Sequence, residues 1–237
     1  MIMPAKRTKE GVSPKRQSAR RADTRRAIIE ATIDLLVEEG FAATTIRSVS
    51  GRAGSSVGAV QYHFPTKQAL LLETLAEIFQ EVPQILGELI GAEVDWRRCS
   101  RQLVRTLWAF YSGRRYLAGS EILLGTRMSP GGNESILQKR DVLEDAYRQA
   151  WTRIVRSSPL GQKEGFTLLK FITAVLRGLA VMAVHEHDEH FFKPQLAILE
   201  GVLAEALESG RLPGQIGAKL APVQRSKNAK HLLVVER

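Results

Sequence analysis

The chain has 237 residues, with 34 Lys and Arg against 25 Asp and Glu for a formal net charge of +9, and one cysteine, Cys99. That length supports one larger domain or two modest ones around a sizeable core. The lone cysteine excludes an internal disulfide framework and fits a reducing cytoplasm, with Cys99 read as a packed small apolar side chain rather than a nucleophile.

The charge is uneven. Residues 1–67 carry 12 Lys/Arg against 6 Asp/Glu and residues 219–237 carry 5 against 1, whereas residues 68–218 carry 17 against 18. Basic ends flank a nearly neutral body, as expected either of a chain whose end meets a polyanion or of solvated tails. The basic start is not followed by an apolar stretch, so no signal peptide is expected. The most apolar segment, 171–185, is broken by Arg177 and falls short of the roughly 18 uncharged residues of a membrane span.

Residues 1–22 hold seven Lys/Arg, two prolines and almost no large apolar side chains, which predicts a disordered basic arm. Such an arm either touches DNA phosphate or a minor groove, or is an inert leader. Asp23 or Thr24 then caps a first helix, on which Ile28, Ala31, Leu35 and Leu36 make one apolar face. Gly40 ends it, and Phe41 is placed to fold back on its last turn.

A denser pattern follows. Thr44 or Thr45 suits an N-cap, and Ile46, Val49 and Ala53 form an apolar stripe. Gly54 suits a left-handed helix end, and Ser55 or Ser56 caps the next helix. Gly58 is expected where two helices cross closely, with Val60 and Phe64 turned to the core. Pro65 stops that helix, Thr66 caps another, and Lys67 falls in its first turn. Two short helices on a tight turn make a helix-turn-helix, whose second helix can lie in a DNA major groove. From Thr66 a longer helix with Leu70, Leu71, Thr74, Leu75 and Ile78 runs towards Pro83.

The body has no strand-like alternation, no repeat and no glycine-rich phosphate loop. Breakers divide it into helices near 96–112, 114–127, 134–156, 163–187 and 193–209. The fourth of these is apolar almost all round, so it is either central or at an interface. On the last, Leu196, Leu199, Leu203 and Leu207 share a face. Aromatic residues concentrate in the body. Trp108, Tyr111, Tyr147 and Trp151, with Arg177 as a polar anchor, are the candidates for a ligand site, against the alternative of ordinary core positions. His185, His187 and His190 stand among Glu186, Asp188 and Glu189, but two-residue spacing on a helix sends the imidazoles apart. A solvated helix end is expected there, not a metal site. Residues 211–237 read as a basic, mostly disordered tail. Paired carboxylates on one face and a nucleophile motif are both missing from the sequence, so an enzyme is not expected.

The run LLVEEGFAATTIRSVSGRAGSSVGAVQYHFPTKQALL, residues 35–71, resembles the N-terminal DNA-binding domain of the TetR/AcrR family of one-component bacterial regulators. The likeness covers about residues 24–75. It rests on Gly40-Phe41, Thr44-Thr45, Ala53-Gly54, Gly58, Tyr62-His63-Phe64 and Lys67 at the matching helix boundaries. Two positions depart from the pattern. Ser55 stands where the family often has Val, and Gln61 where it often has Tyr. Gln61 can bond N6 and N7 of an adenine, or contact only phosphate.

The resemblance implies roles. Thr44, Thr45, Arg47 and Ser56 match positions at helix N-termini that hold phosphates. Val57, Ala59 and Gln61 face base edges, Tyr62 and His63 grip the backbone, and Lys67 adds a charged phosphate contact; His63 alternatively packs beside Phe64. It also implies that the helix over 68–82 links head to body, that the body holds a pocket, and that the last two helices form a four-helix dimer interface through Leu176, Leu179, Leu196, Leu199, Leu203 and Leu207. The competing reading has those leucines completing the protomer core.

The expectation is therefore an all-α protein: a basic arm over 1–22, a three-helix helix-turn-helix domain over 23–67, a larger helical ligand-binding and dimerisation domain over 68–210, and the tail. It would be a cytoplasmic, homodimeric, cofactor-free regulator of double-stranded DNA with no membrane association, most simply a repressor released from a palindromic operator by a small apolar or amphipathic effector. The alternative is an architectural DNA-binding protein without regulated release.

Overall fold

The computed structural model describes residues 14–88, 95–127 and 132–213, and all of the regular structure among them is helical. The head comprises α1 (Pro14–Glu38), α2 (Gly40–Ala43), α3 (Ile46–Arg52) and α4 (Val57–His63). The long α5 (Lys67–Glu88) leads into a body of α6 (Trp96–Tyr111), α7 (Arg114–Thr126), α8 (Gly132–Val155), α9 (Gln162–Met182) and α10 (Glu189–Ser209).

Helix α1 begins at Pro14, well before the expected cap at Asp23 or Thr24. The Thr24 hydroxyl donates to the Arg20 carbonyl within the helix, and Asp23 pairs with Arg26. Once the packed segment from Ile28 to Leu36 nucleates the helix, extension upstream adds one bond per residue, and Pro is well suited to the first position. The arm expected to be disordered to residue 22 is thus helical from Pro14; residues 1–13 lie outside the described residues, as does the tail beyond Pro213.

The head closes on Ile28, Leu35, Leu36, Val49, Val60 and Phe64, all buried. Thr45 caps α3 in a reciprocal box: its hydroxyl accepts from the Ser48 amide at 3.0 Å, while the Ser48 hydroxyl accepts from the Thr45 amide at 2.8 Å. Gly54 turns the chain at φ +61°, a left-handed conformation that a side chain would strain. Ser56 caps α4 by accepting from Ala59 at 3.1 Å, and Thr66 caps α5 by accepting from Ala69. Gly58 is not a crossing point as expected: a Cβ there would meet nothing within 4 Å, because it faces open space.

Pro83 does not stop α5, which continues to Glu88. The proline removes one backbone hydrogen bond, but Val82 and Leu86 on either side are fully buried and hold the helix together. Arginines tie head to body. Arg115 at the start of α7 reaches Glu30 of α1 and Glu77 and Glu81 of α5, and Arg114 reaches Asp34 and Glu38 of α1.

Helix α9 is long and apolar enough to cross a membrane by length and composition. Here Leu168, Leu169, Ile172 and Leu176 are buried in the body core, beside Leu199, Leu203 and Leu207 of α10. This corrects the expected dimer surface. Leu176, Leu179, Leu199, Leu203 and Leu207 are buried within their own protomer and Leu196 is packed against the same core, because those faces of α9 and α10 turn towards α6 and α8. The apolar side chains left exposed on the two helices are instead Phe171, Val181, Met182 and Ile198. Helix α9 ends at Met182 and α10 starts at Glu189 with Asp188 as its cap, so Pro194 lies inside the helix rather than at its start.

Candidate DNA-binding face and effector site

Nine of the ten expected DNA contacts are at least partly exposed around α3, α4 and the start of α5. Arg47 and Gln61 are exposed, and Arg47 has no ion pair among the described residues. Tyr62 is 64% exposed and Val57 40%. Thr45 and Ser56 are exposed at their cap positions, and Ala59 and His63 are half-buried. His63 packs edge-on to Tyr62 and tilted against Phe64.

Thr44 is the exception. It is buried, and its hydroxyl donates to the Gly40 carbonyl at 2.9 Å, so it locks the turn between α2 and α3 rather than facing outward. Lys67 is half-buried. Its ammonium donates to the Phe41 carbonyl at 3.1 Å and lies 4.5 Å from the Phe41 ring centroid, and desolvation lowers its pKa from the usual lysine value. Arg21, one of the seven cations expected on a disordered arm, places its guanidinium 5.2 Å from the Tyr62 ring centroid and so brings a cation of α1 beside the exposed face of α4. Only the helical extension upstream of Asp23 puts it there, and nothing in a Pro- and Arg-rich arm signalled that helix.

In the body, three of the five expected ligand residues meet. The Arg177 guanidinium lies 5.6 Å from the Tyr111 ring centroid, and Tyr147 flanks the same phenol. Phe79 of α5 and Tyr116 of α7 complete the cluster: Arg177 is 6.0 Å from the Phe79 centroid, and Tyr116 meets Tyr111 edge-on at 4.8 Å. The short break at Ser112-Gly113 folds Tyr116 back on Tyr111; two tyrosines flanking a helix break were the signal available for it. Trp151 is one turn beyond Tyr147 on α8 and is buried against Gly165 of α9. Trp108 instead lies against Phe192 of α10 at 5.1 Å.

Burial raises the pKa of all three tyrosines, Tyr147 most strongly, with Arg177 opposing the rise in each case, so they remain phenols. Arg177 and Tyr147 approach the Tyr111 hydroxyl without reaching hydrogen-bonding geometry, and the hydroxyls of Tyr111 and Tyr147 and the Trp151 indole N–H are shielded from solvent with no partner among the described residues. Near His190 the geometry is a helix cap, with Asp188 accepting from the His190 amide and touching its imidazole. No group of three or more His, Cys, Asp or Glu side chains among the described residues could hold a metal ion.

The family model for bacterial regulatory proteins of the tetR family matches residues 28–74, the segment from α1 to the first turns of α5. The HTH-type transcriptional regulator CymR of Pseudomonas putida is 27% identical over 184 residues, covering 77% of this chain and 91% of CymR. The HTH-type nicotine-responsive transcriptional repressor HdnoR of Paenarthrobacter nicotinovorans is 24% identical over 87 residues, 37% of this chain and 45% of that protein. Among solved structures, a transcriptional regulator from Rhodococcus sp. Rha1 superposes with a TM-score of 0.63 at 21% identity, over 80% of this chain and 99% of its own. Its likeness is one of fold. The helix-turn-helix with its cap residues and the matched family model together show that residues 28–74 form a DNA-binding domain of the tetR family of bacterial regulatory proteins, in a chain that is similar to a transcriptional regulator over 77% of its length.

Proposed function

We propose that this regulator is a ligand-responsive repressor: a cytoplasmic homodimer whose two heads occupy a palindromic operator and leave it when a small apolar or amphipathic effector enters the body. The observation that carries the DNA half is the face of α3 and α4. Arg47, Gln61 and Tyr62 are exposed there, and Gly58 leaves room for a close approach. The cluster of buried unpartnered donors around Arg177 supports the effector half. HdnoR, similar to this chain over 87 residues, is described as a nicotine-responsive repressor, which accords with the same logic. Phe171, Val181, Met182 and Ile198 form the face on which a second copy would dock. No catalytic activity and no cofactor belong to this reading.

Release requires that the effector bind the free head spacing better than the operator-bound one. The test is binding of the purified protein to DNA from upstream of its own gene, against scrambled DNA, across a salt series and with footprinting. Specific affinity at least about 10³-fold above that for scrambled DNA, with a protected palindrome, supports the repressor reading. Equal affinity on both DNAs and on selected genomic fragments contradicts it in favour of an architectural protein.

A further inference from the structure

The paired arginines of this protein make Arg177 conspicuous. Arg25, Arg52 and Arg114 each reach two carboxylates and Arg115 reaches three. Arg177 reaches none among the described residues; its neighbours are the Phe79 and Tyr111 rings and the phenols of Tyr111, Tyr116 and Tyr147. Arg177 is exposed on α9, at the mouth of this cluster, while its guanidinium turns over those rings. Tyr111 is 1% exposed, and its hydroxyl and that of Tyr147 lack acceptors among the described residues.

We propose that the effector is an organic monocarboxylate with an apolar or aromatic body, its carboxylate paired with Arg177 and accepting from the Tyr111 and Tyr147 hydroxyls. This rests on the ligand-responsive reading above and narrows its effector. The donor set matches the ligand. A guanidinium offers a planar fork, and two phenols add single donors, so together they satisfy the lone pairs of two carboxylate oxygens. The phenols stay protonated under burial and can only strengthen that role as donors. One cation balances one negative charge, whereas a phosphate dianion would bring a second charge with no second cation in the cluster. Around this polar point the surface is Phe79 and Tyr116, suited to an apolar remainder.

The test uses the full chain and matched probe pairs: 2-naphthoate with 2-naphthamide, and octanoate with octanamide, each in thermal-shift titrations. The expected result is that a carboxylate raises Tm in a concentration-dependent way, while its neutral amide does not. Arg177→Met should abolish the shift, and Tyr111→Phe with Tyr147→Phe should weaken binding roughly tenfold or more. Without probe, those Phe variants should melt at or above the wild-type temperature, since each removes a buried hydroxyl that has no partner. They keep the proposal testable if Arg177→Met fails to fold.

Equal shifts by acid and amide, no shift by either acid, or a carboxylate shift that survives the tyrosine substitutions would overturn the assignment. Operator binding is read separately. A protein that binds carboxylates through Arg177 but never binds specific DNA would refute the repressor reading while leaving the anion site in place.

Discussion

The Phe41 ring lies directly over the bare backbone of Gly125, so close that a side-chain carbon at position 125 would overlap the ring. Phe41 belongs to α2 in the head and Gly125 to α7 in the body, and two further contacts hold the pair. The Phe41 amide donates to Glu121 of α7 at 3.4 Å, and its carbonyl accepts from Lys67 of α5. Since α7 also carries Tyr116, the joint lies on the same helix as the edge of the proposed effector site. A shift of α7 at that end is therefore felt at α2, which leads directly into the helix-turn-helix.

Gly125→Ala should displace Phe41 and cost about 1–3 kcal/mol, offset in part by the better helix propensity of alanine. That corresponds to roughly 2–4 °C in Tm per kcal/mol for a chain of this size. Combining it with Phe41→Ala should recover part of the loss, because the space is then free. Strict additivity of the two substitutions in chemical denaturation would mean that the two residues do not meet in solution.

Arg115 should be the most consequential member of the ionic joint. It holds Glu30, Glu77 and Glu81 and is itself mostly covered, with a side chain 28% exposed. Removing it leaves Glu30 and Glu81 without this cation and Glu77 with Arg25 alone. Arg115→Ala is expected to destabilise by about 1–3 kcal/mol, more than an exposed pair would. Added salt should then recover part of the loss by screening the residual repulsion. A denaturation midpoint unchanged by the substitution would remove Arg115 from any account of head-body coupling.

The DNA face yields a three-way contrast. Arg47→Ala should weaken binding to every sequence and lower the salt slope by about one unit, as expected for one phosphate contact. Gln61→Ala should change preference at one base position, with discrimination falling by about 1–3 kcal/mol. Lys67→Met should act mainly through stability, because its ammonium is held by the Phe41 carbonyl and ring. Binding isotherms on cognate and random DNA at several salt concentrations separate these outcomes. A full unit of salt slope lost in Lys67→Met with Tm unchanged would restore Lys67 to the phosphate-contacting set and remove it from the joint.

These residues also mark where the sequence was readable. The helix-turn-helix was legible because each boundary has a local chemical signal: the Thr45 box, left-handed Gly54, the Ser56 cap and the Thr66 cap all act within three residues. What depended on tertiary context was not. The upstream part of α1 has no apolar stripe of its own and is helical by propagation from its packed half. Pro83 reads as a stop until Val82 and Leu86 are seen to be buried. At Thr44 and Lys67 the residue types suited phosphate contacts, but a hydroxyl or ammonium can equally close a turn. On α10 the leucine spacing identified an apolar face without saying what would cover it. Its own protomer covers it, and Ile198 points the other way.

That reversal sets the last prediction. Phe171 is 52% exposed, Val181 65% and Ile198 65%, a concentration of solvent-facing apolar side chains on two neighbouring helices. Gly178 and Gly201 lie on these helices with nothing within 4 Å of an added Cβ, so a second copy could approach closely there. Docking two such helix pairs would make the four-helix bundle that a two-headed operator complex needs. Val181→Asp or Ile198→Asp should therefore give a folded monomer with sharply reduced operator affinity, whereas Leu203→Asp should fail to fold because that side chain is fully buried. Gly178→Leu and Gly201→Leu are the sharper probes. Each has space within the protomer, so far-UV circular dichroism should be unchanged while sedimentation shifts from dimer to monomer. A dimer that persists at the same dissociation constant in both leucine variants would place the interface on another face.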